Sequence, residues 1–340
     1  MKRPRSYGFA ALLLESLFVL ALLAIHAKAE PALLGIGSQT LGGRFIWSDE
    51  FIYNNWRIQK HSTIGHYRLI DPQDRRHTFG TFENCLAEFE KIKQSEQLPP
   101  LPKEVVIVVH GLGASRQMMN GLAEYIETEG EFSVINFGYP STITDIGENA
   151  KSLVSVIRNL KGVETVSFVA HSMGNIIIRH ALSDMESLPA SELPEITYKR
   201  FVMIAPPNHG ASLADNFSES KIAQIFAGEP LLQLAPGKGW QTLEQRLVTP
   251  SFEFGILAGG QGDGEGYLDA IPGDDDSLLS VETTRLAGAA DFALVKGVHQ
   301  LLPRNDQVRQ DTVRFLQHGY FLPSGTTQPI PAPEVARSIP

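Results

Sequence analysis

A serine between small residues is the group in this chain best suited to act as a nucleophile. Residues 170–174 read Ala-His-Ser-Met-Gly, follow the apolar run 165–169 and open the helix-like run 175–179. A serine on a sharp turn from a buried strand into a helix forms a nucleophile elbow, which needs small residues two before and two after it. That turn exposes the Ser172 hydroxyl and aims the Met173 N–H at bound substrate. The alternative is a small-residue turn with an incidental serine.

A turn containing two glycines after another predicted strand offers a second backbone donor. Residues 110–113 read His-Gly-Leu-Gly and follow the β-branched run 105–109. The turn can aim the Leu112 N–H at the point toward which the Met173 N–H is aimed. Two converging N–H groups form an oxyanion hole, and losing one donor costs about 3–4 kcal/mol of transition-state stabilisation. His110 itself is expected to be structural.

An acidic loop supplies candidates for the carboxylate that such a serine site needs. Residues 273–277 read Gly-Asp-Asp-Asp-Ser and follow the predicted strand 252–258. The carboxylate orients a histidine and stabilises its cationic form. On chemistry alone the choice between Asp274, Asp275 and Asp276 stays open. The alternative, a solvated acidic turn, is expected for two of the three.

Two histidines follow predicted strands and compete for the role of general base, which a weakly nucleophilic hydroxyl requires. His299 follows the strand 292–296, and His209 follows the strand 201–205. The order Ser, Asp, His is typical of chains with this elbow. His299 comes after the acidic loop and fits that order, whereas His209 precedes the loop. We therefore predict His299 as the base.

Neither a metal nor a nucleotide is predicted as a cofactor. Residues 111–113 lack the third glycine of a dinucleotide-binding loop. An alternative use of the acidic residues is an oxygen-rich Ca²⁺ site containing Asp263, Glu265 and Asp269, but the spacing of an EF-hand is missing.

These loops converge only if the strands before them lie side by side. From residue 105 onward, apolar runs alternate with amphipathic helical patterns, which predicts an α/β fold with a mostly parallel sheet, right-handed crossovers and functional loops at the carboxyl ends of the strands. The predicted strands are 105–109, 132–137, 163–169, 201–205, 252–258 and 292–296, and the predicted helices are 118–128, 146–160, 175–185 and 306–317.

The rest of the chain is divided by composition. Residues 30–97 contain two predicted short strands, 56–58 and 66–70, and an amphipathic helix at 81–94, and we expect them to pack on a catalytic domain at 98–322. The role of this N-terminal region stays open.

Two further segments interrupt or follow the catalytic domain. Residues 211–248 break the alternation and are predicted to form a cap, which either lines a pocket or covers the edge of the sheet. Residues 323–340 are Pro-rich, lack periodicity and are predicted to be a disordered tail.

The N-terminus has the pattern of a targeting segment. Basic residues precede an apolar run at 17–23 and the small-x-small triplet 27–29, which predicts a signal peptide over residues 1–29 and an exported mature protein. The alternative is an uncleaved membrane anchor over 8–25, although Glu15 lies inside it.

Charge and cysteine content exclude some functions. The formal net charge is −9 over 340 residues, which gives no reason to expect nucleic acid as a partner. Cys85 is the single cysteine, so no internal disulfide can form, and we expect it to be a small buried apolar residue.

The blocks taken together resemble those of α/β-hydrolases of the bacterial lipase and esterase type. These blocks are 110–113, 170–174, 205–212 and 298–299, and the resemblance covers about residues 100–320. The Ala170 form of the elbow is similar to that of small secreted bacterial lipases. The Pro-Pro-Asn-His-Gly block at 206–210 is similar to that of lipases related to inositol deacylases.

The acid block of that family, Gly-Asp-x-Asp-Gly-x-Val, is similar to residues 273–279 here. In the family the aspartate before the small residue is the acid, which implies Asp276. Two positions depart from the pattern, because Ser277 replaces the usual glycine and Leu279 the usual valine.

The resemblance implies a serine hydrolase acting on carboxylic esters through an acyl-enzyme. Ser172 would be the nucleophile, His299 the base and Asp276 the acid, with the N–H groups of Leu112 and Met173 binding the oxyanion. The expected partner is a small-molecule or lipid ester, with contact to a lipid surface possible and the oligomeric state undetermined. An acyltransferase with the same triad, or a non-catalytic binding protein on this fold, are the alternatives.

Overall fold

The computed structural model describes residue 40, residues 45–211 and residues 229–332. Strands are numbered β1 to β10 and helices α1 to α6 within those ranges. The strands are β1 Trp47–Tyr53, β2 Trp56–His61, β3 Tyr67–Ile70, β4 Arg76–Gly80, β5 Glu104–Val109, β6 Ser133–Phe137, β7 Thr165–His171, β8 Thr197–Ile204, β9 Glu253–Gly260 and β10 Asp291–Lys296. The helices are α1 Phe82–Ser95, α2 Asn120–Gly130, α3 Ile146–Arg158, α4 Met173–Glu186, α5 Lys238–Glu244 and α6 Asp306–His318.

The last six strands form one parallel sheet in the order β6-β5-β7-β8-β9-β10. Parallel neighbours need crossover connections, and α2, α3 and α4 lie in those connections. The predicted α/β fold with a parallel central sheet is therefore confirmed. The loops after β5, β7, β9 and β10, which contain the predicted functional residues, all lie at the carboxyl edge of this sheet.

Alternate residues of each central strand pack on opposite faces of the sheet. In β5, Val105 and Ile107 join a core with α3 and α4, whereas Val106 and Val108 join a second core with α2 and α6. Burial on both faces explains why β5 has an uninterrupted apolar run instead of an alternating pattern.

An antiparallel sheet precedes the parallel one. Its order is β1-β2-β3-β4, and the sequence predicted only the strands corresponding to β2 and β3. Helix α1 packs on it, with the rings of Phe51 and Phe89 5.0 Å apart. Both rings belong to the same core as Val105 in the central sheet, so the two sheets share one continuous apolar interior.

Hydrogen bonds also join the N-terminal sheet to the helices of the central domain. The Ser152 hydroxyl on α3 donates to Glu50 Oε1 at 2.9 Å, and the Ser155 hydroxyl donates to the Glu50 carbonyl at 2.9 Å. Burial raises the pKa of the Glu50 carboxyl. Cys85 is buried in α1 beneath this sheet, and desolvation raises the pKa of its thiol to about 11.

Part of the segment 323–340, which the sequence predicted to be a disordered tail, makes hydrogen bonds with residues at the start of β10 and just before it. The backbone of Ile330 accepts from Gly288 N–H at 2.8 Å and donates to the Ala289 carbonyl at 2.9 Å. The Gln328 N–H donates to Asp291 Oδ1 at 2.7 Å. These bonds fix the segment beside the start of β10, whereas residues 333–340 lie outside the described residues.

Two other predictions fall on parts of the chain that are not described. The predicted signal peptide, 1–29, and the middle of the predicted cap, 212–228, lie outside the described residues. Among the residues that are described, no helix combines the length and the apolar character needed to cross a bilayer.

Candidate active site

Ser172 lies at the tip of the turn between β7 and α4. Its backbone has φ 54° and ψ −128°, a region that residues other than glycine rarely occupy and that concentrates at functional sites. A Cβ atom added to Gly174 would lie 2.6 Å from the His110 carbonyl oxygen. Because β5 and α4 pass this closely, only glycine fits at position 174. The local geometry is that of a nucleophile elbow.

His299 lies between the predicted nucleophile and the predicted acid. Its Nε2 is 2.8 Å from Ser172 Oγ, and its Nδ1 is 2.7 Å from Asp276 Oδ2. An ionised carboxylate only accepts, so Nδ1 holds the proton and Nε2 is free to accept from the serine hydroxyl. All three side chains are at most 7% exposed. The structure therefore brings together the three residues that the sequence nominated.

Asp276 is held in place by the backbone of its own loop. Its Oδ1 accepts from the N–H groups of Leu278 at 3.0 Å and Leu279 at 2.7 Å. The His299 N–H donates to the Asp276 carbonyl at 2.7 Å. One carboxylate oxygen is thus fixed by backbone donors while the other faces the histidine, which is the arrangement an orienting acid needs.

The two neighbouring aspartates do not reach the histidine. Asp274 accepts from the Gln261 and Gly262 N–H groups, each at 2.7 Å. Asp275 accepts from Ser277 N–H at 2.7 Å and from Leu268 N–H at 3.1 Å. The prediction of two solvated aspartates is wrong for Asp275, which is fully buried. Both carboxylates stabilise the loop that follows β9 by accepting hydrogen bonds from its backbone.

The loop after β5 packs directly against the elbow. A Cβ atom on Gly111 would lie 2.9 Å from Ser172 Cβ. Neither the Leu112 N–H nor the Met173 N–H has a hydrogen-bond acceptor within the described part of the chain. A backbone oxyanion hole requires N–H groups that are not bonded within the protein, and both groups meet that requirement in this part of the chain.

His110 makes no hydrogen bond with Ser172 Oγ among the described residues, and the contacts that it does make are structural. Its Nδ1 is 3.0 Å from the Gly111 carbonyl, and its ring stacks on Tyr139 with centroids 4.1 Å apart. Desolvation lowers the pKa of His110 to about 4, so the ring is neutral at pH 7. His209, the rival base, is exposed and has no hydrogen bond to Ser172 or Asp276.

His171 is a member of the site to which the sequence analysis assigned no role. Its Nε2 is 3.0 Å from the His299 carbonyl, and the two rings are 4.8 Å apart. Burial, reinforced by the neighbouring His299, lowers the pKa of His171 well below its usual value. As a neutral ring with a proton on Nε2, it donates to the backbone of His299. The sequence signal that could have identified His171 is its position inside the elbow motif, directly before Ser172.

The Asn208 side chain joins three parts of the chain behind the site. Its Nδ2 donates to the Thr284 carbonyl at 2.8 Å, and its Oδ1 accepts from Arg179 Nη1 at 3.0 Å. Arg179 Nε donates to the Val248 carbonyl at 2.9 Å, and burial lowers the pKa of Arg179 to about 10. Asn208 thus joins the loop after β8 to α4 and to the residue Thr284.

The described part of the cap is seated on the carboxyl edge of the sheet. The Gln233 side chain accepts from the Ile146 N–H at 2.9 Å, and the Leu234 carbonyl accepts from the Ala211 N–H at 3.0 Å. Trp240 in α5 is buried.

The alternative calcium site finds no support in the arrangement of the acidic residues. Asp263 Oδ1 accepts from the N–H groups of Glu265 and Gly266 at 2.9 and 3.0 Å. Within residues 40, 45–211 and 229–332, no group of three His, Cys, Asp or Glu side chains is placed to hold a metal ion.

The strand order and the strained serine between β7 and α4, with the loops of β5 and β10 converging on it, define an α/β-hydrolase fold. The chain belongs to the family described as "Domain of unknown function (DUF7379)", whose model matches residues 75–249, about half of the chain. That match contains Ser172 and ends before Asp276 and His299. A search of curated proteins found no relative of this chain.

Several solved structures are similar to this chain at low identity. A gene product of Listeria innocua is 16% identical over 64% of this chain and 95% of its own, with a TM-score of 0.47. An esterase/lipase from an uncultured bacterium is 12% identical over 87% and 95%, with a TM-score of 0.41. Lipase B of Aspergillus fumigatus is 14% identical over 66% and 55%, with a TM-score of 0.42.

Proposed function

We propose that this protein is a serine hydrolase that cleaves carboxylic esters through an acyl-enzyme. The observation that supports this proposal most directly is the position of His299, within hydrogen-bond distance of both Ser172 Oγ at 2.8 Å and Asp276 Oδ2 at 2.7 Å. A nucleophile, a base and an orienting acid in contact are the minimum arrangement for activating a serine.

In the proposed reaction, Ser172 Oγ attacks the ester carbonyl while His299 Nε2 takes the hydroxyl proton. The negative charge that develops on the carbonyl oxygen is bound by the Leu112 and Met173 N–H groups. Asp276 keeps the proton of His299 on Nδ1 and stabilises the cationic ring. His299 then passes its Nε2 proton to the departing alcohol, and the acyl group stays on Ser172.

Water completes the cycle. His299 takes a proton from the water as its oxygen attacks the acyl-enzyme, and returns that proton to Ser172 Oγ as the bond to the acyl group breaks. The products are a carboxylic acid and the regenerated serine, so one water is consumed for each ester.

A fluorophosphonate probe followed by a panel of p-nitrophenyl esters tests the proposal. We expect labelling of the wild type, loss of labelling in Ser172→Ala and a fall in kcat on the order of a million-fold. Hydrolysis by Ser172→Ala at the wild-type rate would refute the scheme. Adding a competing alcohol separates hydrolysis from acyl transfer, because an acyltransferase would form new ester in preference to free acid.

We further propose that the cap, residues 211–248, contributes to the acyl site. Its described part contains Leu232, which is 37% exposed, and contacts the N-terminus of α3 through Gln233. If the cap binds acyl chains, Leu232→Ser should raise KM for p-nitrophenyl octanoate and leave KM for the acetate ester unchanged. Equal effects on both esters would mean that the cap only covers the sheet.

Export is also proposed, on the sequence of the N-terminal segment. Cleavage after residue 29 predicts a mature chain that begins at Glu30. Sequencing the N-terminus of protein recovered from cells with an intact leader checks this expectation. Recovery of the uncut chain in the membrane fraction would favour the anchor instead.

A further inference from the structure

The N-terminal sheet contains a buried carboxylate that is directed at the central sheet. Asp49 in β1 is fully buried and accepts hydrogen bonds from Gln59 Nε2 at 2.7 Å, from the Arg57 guanidinium and from the Gly138 N–H at 2.7 Å. The Asp49 N–H also donates to the Gly138 carbonyl at 2.9 Å. Gly138 directly follows β6, so Asp49 fixes the chain at the carboxyl edge of the parallel sheet.

Tyr139, the residue after Gly138, contacts the loop beside the predicted nucleophile. Tyr139 is 1% exposed and its hydroxyl donates to the His110 carbonyl at 2.6 Å. Its ring lies almost parallel to the His110 ring, with an interplanar angle of 6°. His110 precedes Gly111, whose backbone packs against Ser172. The contacts therefore run from Asp49 through Tyr139 to the loop that contains Leu112.

A second contact from the same sheet reaches the other end of that loop. Arg116, in the 3₁₀ turn Arg116–Met119, pairs with the carboxylate of Asp74 between β3 and β4. Its backbone carbonyl accepts from Asn136 Nδ2 at 2.8 Å. The loop at 110–115 is thus supported at both ends by residues outside it.

We propose that the N-terminal sheet positions the loop at 110–115, which we call the oxyanion loop, and that Asp49 and Tyr139 are positioning residues. The inference rests on the proposed function, because it assigns the Leu112 N–H to the oxyanion. A loop with two glycines has little conformational preference of its own, yet an oxyanion donor acts only if its position is fixed before the reaction.

The chemistry of the contact favours positioning over simple adhesion. Burying the Asp49 and Arg57 charges has a desolvation cost that an apolar pair of similar volume would avoid. An apolar pair would hold β1 against the central domain as well. The hydrogen bond that the Gly138 N–H donates to the Asp49 carboxylate is directional, and it fixes Gly138 in a way that apolar contacts do not.

A pair of matched Tyr→Phe variants tests the inference. Tyr139→Phe removes only the hydroxyl that contacts the His110 carbonyl. Tyr53→Phe is the control, because the Tyr53 hydroxyl also donates to a backbone carbonyl, that of Pro99 at 2.9 Å, but lies in the N-terminal sheet away from the loop. We expect Tyr139→Phe to lower kcat about tenfold with KM within twofold, which is less than the ~10²–10³-fold loss of a whole oxyanion donor. Tyr53→Phe should keep both constants.

A second readout follows the tetrahedral state itself. A trifluoromethyl ketone forms a tetrahedral adduct whose oxygen occupies the oxyanion hole, so its affinity for Tyr139→Phe should fall about as much as kcat does. Asp49→Asn and Gly138→Ala should also lower kcat and the affinity for the ketone. In Gly138→Ala the added Cβ atom would lie 3.2 Å from Asp49 Oδ2. Tyr139→Phe is the decisive variant, because it makes the mildest change.

The possible outcomes separate the two proposals. If the wild type neither hydrolyses esters nor reacts with the fluorophosphonate, the proposed function fails and this inference with it. If the wild type is active and Tyr139→Phe retains the kcat and ketone affinity of the Tyr53→Phe control, the positioning role alone is overturned.

Discussion

Three consecutive aspartates with the same side chain have different partners in this protein. Asp276 faces His299, whereas Asp274 and Asp275 accept from backbone N–H groups of the loop after β9. Chemistry alone could not choose between them from the sequence, because the choice depends on the path of the backbone through the turn. The resemblance to the acid block of the lipases implied Asp276, and the geometry places that residue against the histidine.

Asp276→Asn should lower kcat for a p-nitrophenyl ester by about 10⁴-fold, because an amide at this position no longer favours the required tautomer of His299. Asp274→Asn is the matched control and should keep kcat within a few-fold, with loss of thermal stability from the weakened loop. Initial rates normalised to the folded fraction distinguish the two. Equal losses in both variants would argue against Asp276 as the orienting acid.

At the scale of elements, the elbow depends on how closely α4 passes β5. Ser172, Leu112 and His299 were predictable because each lies in a short block just after an apolar strand, whereas Asp276 lies well beyond the end of β9 and was implied only by the resemblance to the acid block. The strands β5 and β7 were predictable from their apolar runs. β1 was not, because it contains the buried Asp49 and a bulge that interrupts its pairing with β2, and its polar residues conceal a buried strand.

Gly174→Ala should destabilise the fold by about 1–3 kcal/mol, the usual cost of overpacking, and should lower kcat as well. The added methyl group would meet the carbonyl oxygens of His110 and Val109 at 2.6 and 2.7 Å, and relief of that clash moves the oxyanion loop. Urea denaturation and ester hydrolysis measure the two effects.

The control for this change is Gly121→Ala in α2. There a methyl group meets only the tip of the flexible Arg309 side chain, and alanine is favoured over glycine within a helix by about 1 kcal/mol. Gly121→Ala should therefore be neutral or stabilising and fully active. A Gly174→Ala variant that behaves in the same way would contradict the close packing of the elbow.

For the molecule as a whole, buried neutral histidines make the free energy of unfolding depend on pH. The pKa of His110 is lowered to about 4, below the value near 6.5 of an unfolded histidine. Between these values the unfolded chain binds a proton that the folded chain does not. The contribution of His110 to the free energy of unfolding is therefore complete above pH 6.5. It is lost as the pH falls toward 4, by about 3 kcal/mol in total. The pKa of His171 is lowered too and acts in the same sense.

His110→Gln should flatten the dependence of unfolding free energy on pH between 6.5 and 4. The variant should be less stable than the wild type at pH 7, where its packing on Tyr139 is missed, and the difference should shrink at pH 5. Urea unfolding at both values measures it. A difference that stays constant with pH would mean that His110 does not titrate as described.

The single cysteine gives access to the kinetics of opening. Cys85 is sealed under the N-terminal sheet in the same apolar core as Phe168 of β7, and its thiol is both unreachable and protonated while that core is closed. Alkylation by iodoacetamide therefore reports how often the layer over α1 separates. We expect Cys85 to react only at urea concentrations that also abolish ester hydrolysis, because one shared core unfolds as one unit. Reaction at lower urea would instead show that the protein unfolds in two steps. The N-terminal sheet would then separate from α1 while the central domain is still folded and hydrolyses ester.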